Sequence, residues 1–291
     1  TPVSRHTYDG LTYMTHADSF FAVSGSMSPC GFAAGDTWVY NFAQNKWQQK
    51  ASAPSAANYG TLAVYDSSTQ KVFVKEPGYN FFSYSLESNT YNKLNTSDQY
   101  IDYHLSAAID SKRRKFIMIG DGVQVIDLAT NQMTTMQTTG APAFVTSRQS
   151  PGIAYDPVAD RIVAWHGGTN VYTLNMDTGV WAQVAINQGP TAAAPYQGTF
   201  GRFGYIPQYG VFALINSIDQ NAWVFKLSPS GIASTVPSNT SGSVLGVSAV
   251  GITQFNSSGS GVVAGDGLTL TGNTIDVVGT TDRLVISADS I

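Results

Sequence analysis

The chain reads as an all-β protein: a five-bladed β-propeller of four-stranded blades followed by an extended β tail. Three observations predict this. A phrase at residues 36–47, DTWVYNFAQNKW, returns in degraded form four more times. Its two posts keep a nine-residue spacing in every copy: Trp38 and Trp47, Phe82 and Tyr91, Gln124 and Met133, Tyr172 and Trp181, Trp223 and Ile232. The second posts lie 44, 42, 48 and 51 residues apart, which is the period of propeller blades and longer than that of the helical repeats with 33 or 34 residues. One four-stranded sheet exposes two apolar faces, and packing sheets around an axis covers both.

Each copy contributes two hairpins. Between the posts, alternating apolar and polar residues lead into a turn-forming segment (AQNK, ESNT, ATNQ, MDTG, SPSG), the pattern of antiparallel strands joined by a tight turn. Upstream lies a second strand pair with a polar turn at its centre. In order these pairs are GLTYMTHADSFFAVSG, TLAVYDSSTQKVFV, SAAIDSKRRKFIMI, GIAYDPVADRIVAW and GRFGYIPQYGVFAL. The outermost strand of each blade is expected to start near its second post, and Trp38 and Trp223 are expected to be buried between blades. The first copy alone carries a long inner loop, Gly25 to Gly35, and loops of this kind often carry function.

Composition narrows the class. Only 12% of residues are charged, about half the usual share, and Gly, Ser and Thr are plentiful, as in extracellular β proteins and virion fibres. The net charge of −4 argues against nucleic acid as a partner, and the KRRK run at 112–115 reads as a solvated hairpin tip. Cys30, the single cysteine, cannot form an internal disulfide and has no metal-ligand spacing around it. No cofactor motif is present, and no apolar run approaches the 18 residues of a membrane span. The opening TPVSRH is not a signal peptide, and the absent initiator Met points to a processed fragment.

The glycine-bearing turn after strand two, the strand Trp38-Val39-Tyr40 and a second Trp nine residues on resemble a kelch repeat, as in kelch and galactose-oxidase-type propellers. The resemblance spans residues 5–237 and is most specific in the first and fourth copies. Blade two has Glu76-Pro77-Gly78 in place of the glycine pair, blade three Gly120-Asp121-Gly122, and blade four keeps Gly167-Gly168. It implies the fold and little about function.

Past residue 237 the chain turns to Ser, Gly, Thr and Val, which reads as a linker over 238–260. Residues 261–291 alternate short β runs with GDG and GN turns. The phrase GLTLTGNTIDVVGT within them is similar to a short β module of bacteriophage tail-fibre proteins. That resemblance implies a fibre fragment on a virion surface, associating with other fibre chains or virion proteins through residues 238–291, since so short a tail buries too little surface alone.

In a propeller of this strand order, the lead-ins to the first strands and the loops between strands two and three share one face. That face collects Arg5, His6, Asn58, Tyr59, Asp102, Tyr103, His104, Arg148, Gln149 and Arg202 from the lead-ins. The inner loops add Glu76, Tyr79, Asp121, His166, Asn170 and Asn216. Planar rings and forked donors around a concave mouth suit a polyhydroxylated ligand; the same residues in pairs can equally hold neighbouring blades together. The candidate ligand-binding set is Arg5, His6, Tyr59, Asp102, His104, Arg148, His166 and Arg202, with Arg148 the leading contact for an acidic sugar.

Three functions follow: an adhesin that binds a host-surface polysaccharide or receptor, a carbohydrate-active hydrolase or lyase using Glu76, Asp102 or Asp121, or an architectural virion protein. No S-x-D-x-G-x-x-W box and no G-x-S-x-G elbow occurs, and no catalytic residue is assigned.

Overall fold

The computed structural model describes residues 1–55, 58–94, 100–186, 190, 198–217 and 222–227, together with the backbone of three later strands. It shows five blades of antiparallel strands. Blade one has an innermost position shared by Arg5–His6 and Leu11–Met14, both paired to Ser19–Met27, and then Ala33–Asn41 and Lys46–Lys50. Blade two is Leu62–Asp66, Lys71–Lys75, Phe81–Ser85 and Thr90–Leu94. Blade three is Ser106–Asp110, Lys115–Ile119, Val123–Asp127 and Met133–Met136. Blade four is Gly152–Asp156, Arg161–Trp165, Asn170–Asn175 and Val180–Ala185. Blade five is Phe203–Ile206, Val211–Leu214, Trp223–Phe225 and Ile252–Gln254.

The fourth strand of blade five therefore lies inside the stretch that reads as a linker, and the expected strand at Ile232 falls outside the described residues. Beyond it, Leu268–Thr271 and Thr274–Val277 pair as a hairpin, within the phrase that carries the tail-fibre resemblance. The rest of 228–291 lies outside the described residues.

The turns explain why the repeat folds as it does. Between strands one and two, the residue before the second strand is left-handed in every blade: Asp18, Gln70, Arg114, Asp160 and Gly210. Between strands three and four, Asn45, Asn89, Asn131 and Gly179 do the same. Asn, Asp and Gly tolerate this conformation best, so the polar turn segments fix the hairpin registers.

Packing follows strand alternation. Four buried clusters fill the walls between successive blades. Met14, Phe21 and Val39 meet Val72 and Phe82, and Phe73 and Phe81 meet Ile109 and Phe116. Further round, Ile117 and Val125 meet Tyr155 and Leu174, and Val163 and Trp165 meet Phe203 and Phe212. The first post of each copy faces the preceding blade, as Phe82 and Tyr172 do.

That alternation corrects the expectation for the two Trp posts. Trp223 is only half-buried against the blade-four wall. Trp38 is also half-buried; its neighbour Val39 takes the wall toward blade two, which turns the indole toward blade five. Among the described residues the largest fully buried side chain is Trp165 instead.

The KRRK turn is likewise no solvated tip. Arg114 donates twice to Asp66 of blade two, at 2.8 and 2.7 Å. Arg113 donates to Asp110 at 2.8 Å, to both oxygens of Asp160 at 2.6 and 2.8 Å and to both of Asp177 at 2.7 Å. Lys112 adds a contact to Asp160 at 2.5 Å. This one hairpin therefore clamps blades two, three and four on the face opposite the candidate site.

Candidate functional site

The first strands carry small residues at the axis, among them Ala63, Ala107, Ala108 and Ala154, and they line a central cavity of about 1260 Å³. At its mouth the lead-ins share a backbone device. A left-handed residue stands there in each blade: Tyr8 (φ 56°), Gly60 (70°), His104 (66°), Ser150 (50°) and Phe200 (47°). Gly60 is required where it stands, because a Cβ there would sit 2.3 Å from the Cβ of Tyr103. The other four hold side chains in a conformation that costs them about 1 to 3 kcal/mol each.

Those side chains meet. The His6 ring stacks on Tyr8 at 4.0 Å, and Tyr8 presents an edge to His104 at 5.6 Å and to Phe200 at 5.9 Å. Phe200 also contacts His6 at 5.9 Å. His104 Nδ1 lies 3.3 Å from Ser150 Oγ, tying blade three to blade four. Below Tyr8, Asp9 is buried and accepts the backbone N–H of Ala107 at 2.7 Å, a bond from blade one to blade three. Burial drives the Asp9 carboxyl well above the ordinary aspartate range, and the Ala107 hydrogen bond only partly offsets this.

Each sequence-predicted residue now has a place. His6 and His104 come together at the mouth, with Arg202 beside them. The Arg202 guanidinium donates to the carbonyls of Thr199 at 3.2 Å, Asn216 at 3.3 Å and Gly198. Burial lowers the proton affinity of His6 first, and the charges of His104 and Arg202 lower it further. Burial also lowers His104, against an opposing pull from Asp102.

Arg5 is occupied elsewhere. Its side chain is 6% exposed, and both terminal nitrogens donate to Asp36, one at 3.0 Å. Trp38 Nε1 donates to the same carboxylate at 2.6 Å. Burial pushes Asp36 up, but these donors outweigh it and hold the carboxyl below the ordinary range. Arg148 is occupied too: it donates to Asp102 at 2.6 Å and to Asp121 at 3.0 Å, joining the blade-four lead-in to two loops of blade three. It is a blade-joining residue in this geometry, and Asp102 and Asp121 share its charge. Tyr59 donates to the Gly31 carbonyl at 2.8 Å, pinning the Gly25–Gly35 loop against blade two. His166 stands apart from the axial cluster, against Phe144 at 5.4 Å in the wall between blades three and four. Its Nδ1 is buried without a hydrogen-bond partner among the described residues.

Sequence reading missed three residues of this face. Tyr8 has no motif around it; its role comes from its backbone conformation and its contacts across blades. Phe32 and Tyr100 were passed over, yet they are 69% and 56% exposed. With Tyr59, Tyr79 and Tyr103, each more than 40% exposed, they place five large rings on the lead-ins and inner loops of blades one to three. Tyr79 and Tyr100 meet edge to face at 5.7 Å. Aromatic residues that were merely paired with the core would have been buried.

Glu76, a candidate acid, is closed off. It is fully buried beside the equally buried Lys75. Ser55 and Asn80 donate to its Oε2, and Lys75 Nζ donates to the carbonyls of Glu76 at 3.0 Å and Gly78 at 2.7 Å. Burial lifts the carboxyl from 4.5 to about 7, against the pull of Asn80 and Lys75. Burial likewise drops Lys75 to about 8, with Glu76 opposing. No chain of three or more His, Cys, Asp or Glu side chains that could hold a metal exists among the described residues.

No protein-family model matches the chain, and no curated protein matches it. The face must therefore be read from its own chemistry.

Glu76 yields a pH prediction. A carboxyl raised on folding contributes stability below its unfolded value of 4.5, and that contribution is lost as pH rises through 7. Across that window the wild type should lose about 3 kcal/mol relative to Glu76→Gln, whose amide keeps the neutral form's shape. Urea midpoints of both proteins at pH 5 and 7.5 test this; parallel pH profiles would refute it.

Proposed function

We propose that this chain is a virion-associated, phage tail-fibre-like adhesin whose kelch-like propeller binds a host-surface glycan without altering it. The observation that carries the reading is the arc of five exposed rings, Phe32, Tyr59, Tyr79, Tyr100 and Tyr103, on the face that also bears the channel mouth. Exposed apolar patches of this kind mark binding sites, and rings with one apolar body and one polar tip suit a ligand with hydroxyls and hydrocarbon faces. Positioning supports the reading as well. Tyr59 is pinned by Gly31, and the Tyr103 N–H is held by Asp102 at 2.8 Å, so the rings are set by rigid blade ends.

The carboxylates of the face are in use: Glu76 is buried, and Asp102 and Asp121 are bridged by Arg148. That arrangement favours binding over acid–base chemistry. The tail would then connect the propeller to other fibre chains or virion proteins, outside the cell, in keeping with its tail-fibre phrase and its 268–277 hairpin.

Incubation with bacterial-surface polysaccharides, read for both retention and release of reducing ends, tests the proposal. Retention without release is the expected result. New reducing ends without unsaturation would make the mouth that of a hydrolase, and reducing ends accompanied by unsaturated ends that of a lyase; retention of no polysaccharide would leave an architectural role. Tyr103→Ala and Tyr79→Ala should each weaken retention about tenfold, roughly 1.4 kcal/mol, with melting unchanged because both rings are exposed. Wild-type retention by both variants would show that the arc is not the contact surface.

A further inference from the structure

At the channel mouth, two histidines and an arginine gather around a pair of rings, and the proposed glycan surface leaves them unused. Tyr8 stacks on His6 at 4.0 Å and meets His104 edge to face at 5.6 Å, while Phe200 closes on His6 and Tyr8 at 5.9 Å each. Arg202 follows Phe200 by two residues, and both line the central cavity together with His6 and Tyr8.

Arg202 is exposed and has no ion pair with a carboxylate among the described residues. Its three hydrogen bonds go to backbone carbonyls, through Nε and one N–H of each terminal nitrogen. A guanidinium carries five N–H donors, so one remains on each terminal nitrogen. Such a pair matches the two oxygens of a carboxylate. Four of the five lead-ins hold a side chain at the left-handed position where glycine would be free of strain, and strain of this kind gathers at functional sites.

We propose that the mouth is a subsite for a carboxylate-bearing sugar residue, with Arg202 gripping the carboxylate, His6 and His104 completing the positive wall, and Tyr8 and Phe200 against the sugar ring. This rests on the glycan-binding reading of the upper face and names its ligand class as acidic.

The titratable and charged groups facing the two imidazoles are Tyr8, Tyr103, Arg202 and Asp102, and Asp9 follows Tyr8 in the chain. Burial raises the Tyr8 phenol, which keeps it neutral between the imidazoles. Asp102 is tied to Arg148, and burial favours the neutral form of Asp9. The unliganded mouth therefore resists protonation of His6 and His104, and a bound carboxylate reverses that preference. Affinity for an acidic sugar rises as pH falls from 7.5 to 5.5, because the anion binds the protonated imidazoles more tightly.

The test is NMR titration of the histidine ring signals of the full chain with sodium glucuronate, methyl glucoside and inorganic phosphate, at pH 5.5 and 7.5. In parallel, an acidic polysaccharide is tested for retention before and after reduction of its carboxyl groups. Glucuronate should shift His6 and His104, about tenfold more tightly at pH 5.5, and methyl glucoside should shift neither. Arg202→Gln should weaken glucuronate about tenfold, and His104→Asn, which tolerates the left-handed backbone, should flatten the pH dependence.

The subsite is overturned if methyl glucoside shifts the rings equally, or if folded Arg202→Gln binds glucuronate as wild type does. Equal shifts by phosphate would overturn the sugar assignment. Equal retention of native and carboxyl-reduced polysaccharide would remove the subsite and leave the adhesin reading standing. Glucuronate binding with no polysaccharide retained would do the reverse.

Discussion

Trp165→Ala should lower stability by about 4 kcal/mol, several times the effect of Trp38→Ala. Trp165 ends the second strand of blade four and is 1% exposed. Its indole fills the wall against blade five with Val171, Val184, Phe203 and Phe212, and its Nε1 donates to the Gly168 carbonyl at 2.9 Å. Truncation leaves a cavity the size of an indole in a wall built from two rigid sheets, which cannot close over it; such changes cost about 3 to 5 kcal/mol. It also removes the donor that holds the Gly167–Gly168 turn. Trp38 is half-buried, and the carboxylate its indole touches stays held by Arg5, so its loss should cost about 1 kcal/mol. Urea unfolding of both variants decides between them. Equal costs, or a larger one for Trp38, would mean that the wall between blades five and one carries more of the fold than its half-exposed post implies.

That contrast shows what the sequence made legible. The nine-residue post spacing located the outer hairpin in each of the first four blades, and the polar turn upstream located the inner one, because both report hairpin geometry that every copy must satisfy locally. It misjudged Trp38 because burial depends on which blade faces the ring. The first post always turns toward the preceding blade, and for blade one that neighbour is blade five, at the closing seam. In blade five, counting nine residues from Trp223 led to Ile232, but the partner strand comes from Ile252–Gln254, and no local spacing encodes so distant a return. The site divides in the same way. Topology alone placed Arg5, His6, Tyr59, Asp102, His104, Arg148, His166 and Arg202 in lead-ins and inner loops. Which cations were spent on Asp36, Asp102 and Asp121, and which remained, depended on contacts across blades. Tyr8 was silent for the same reason: its φ of 56° and its contacts with the rings of His6, His104 and Phe200 are tertiary facts.

Arg113→Ala should cost about 3 to 5 kcal/mol at pH 7, and the cost should shrink in acid. Arg113 sits in a turn that composition alone would leave in water, yet its side chain is 17% exposed and the Asp110 side chain beneath it is fully buried. Removing the cation strands a buried carboxylate, the costly way to break such a pair, and leaves Asp160 and Asp177 close together with Lys112 the cation paired to Asp160 among the described residues. In the wild type, hydrogen bonds from Arg113 are the main reason Asp160 and Asp177 lie below the ordinary aspartate range, and Lys112 and Tyr155 add to the effect on Asp160. A carboxyl depressed on folding contributes stability above its unfolded value of 3.8, and that contribution is lost as pH falls through the folded value. The variant lacks the contribution, so its deficit should narrow between pH 5 and pH 3 as the wild type loses its advantage. Arg113→Lys, which keeps the charge but cannot fork to three partners, should fall between the two. Urea midpoints of all three proteins at pH 7, 5 and 3 provide the check. A deficit under about 1 kcal/mol at pH 7 would place the turn among ordinary surface ion pairs, and an equal deficit at every pH would show that Arg113 acts through packing of its stem and not through the three carboxylates.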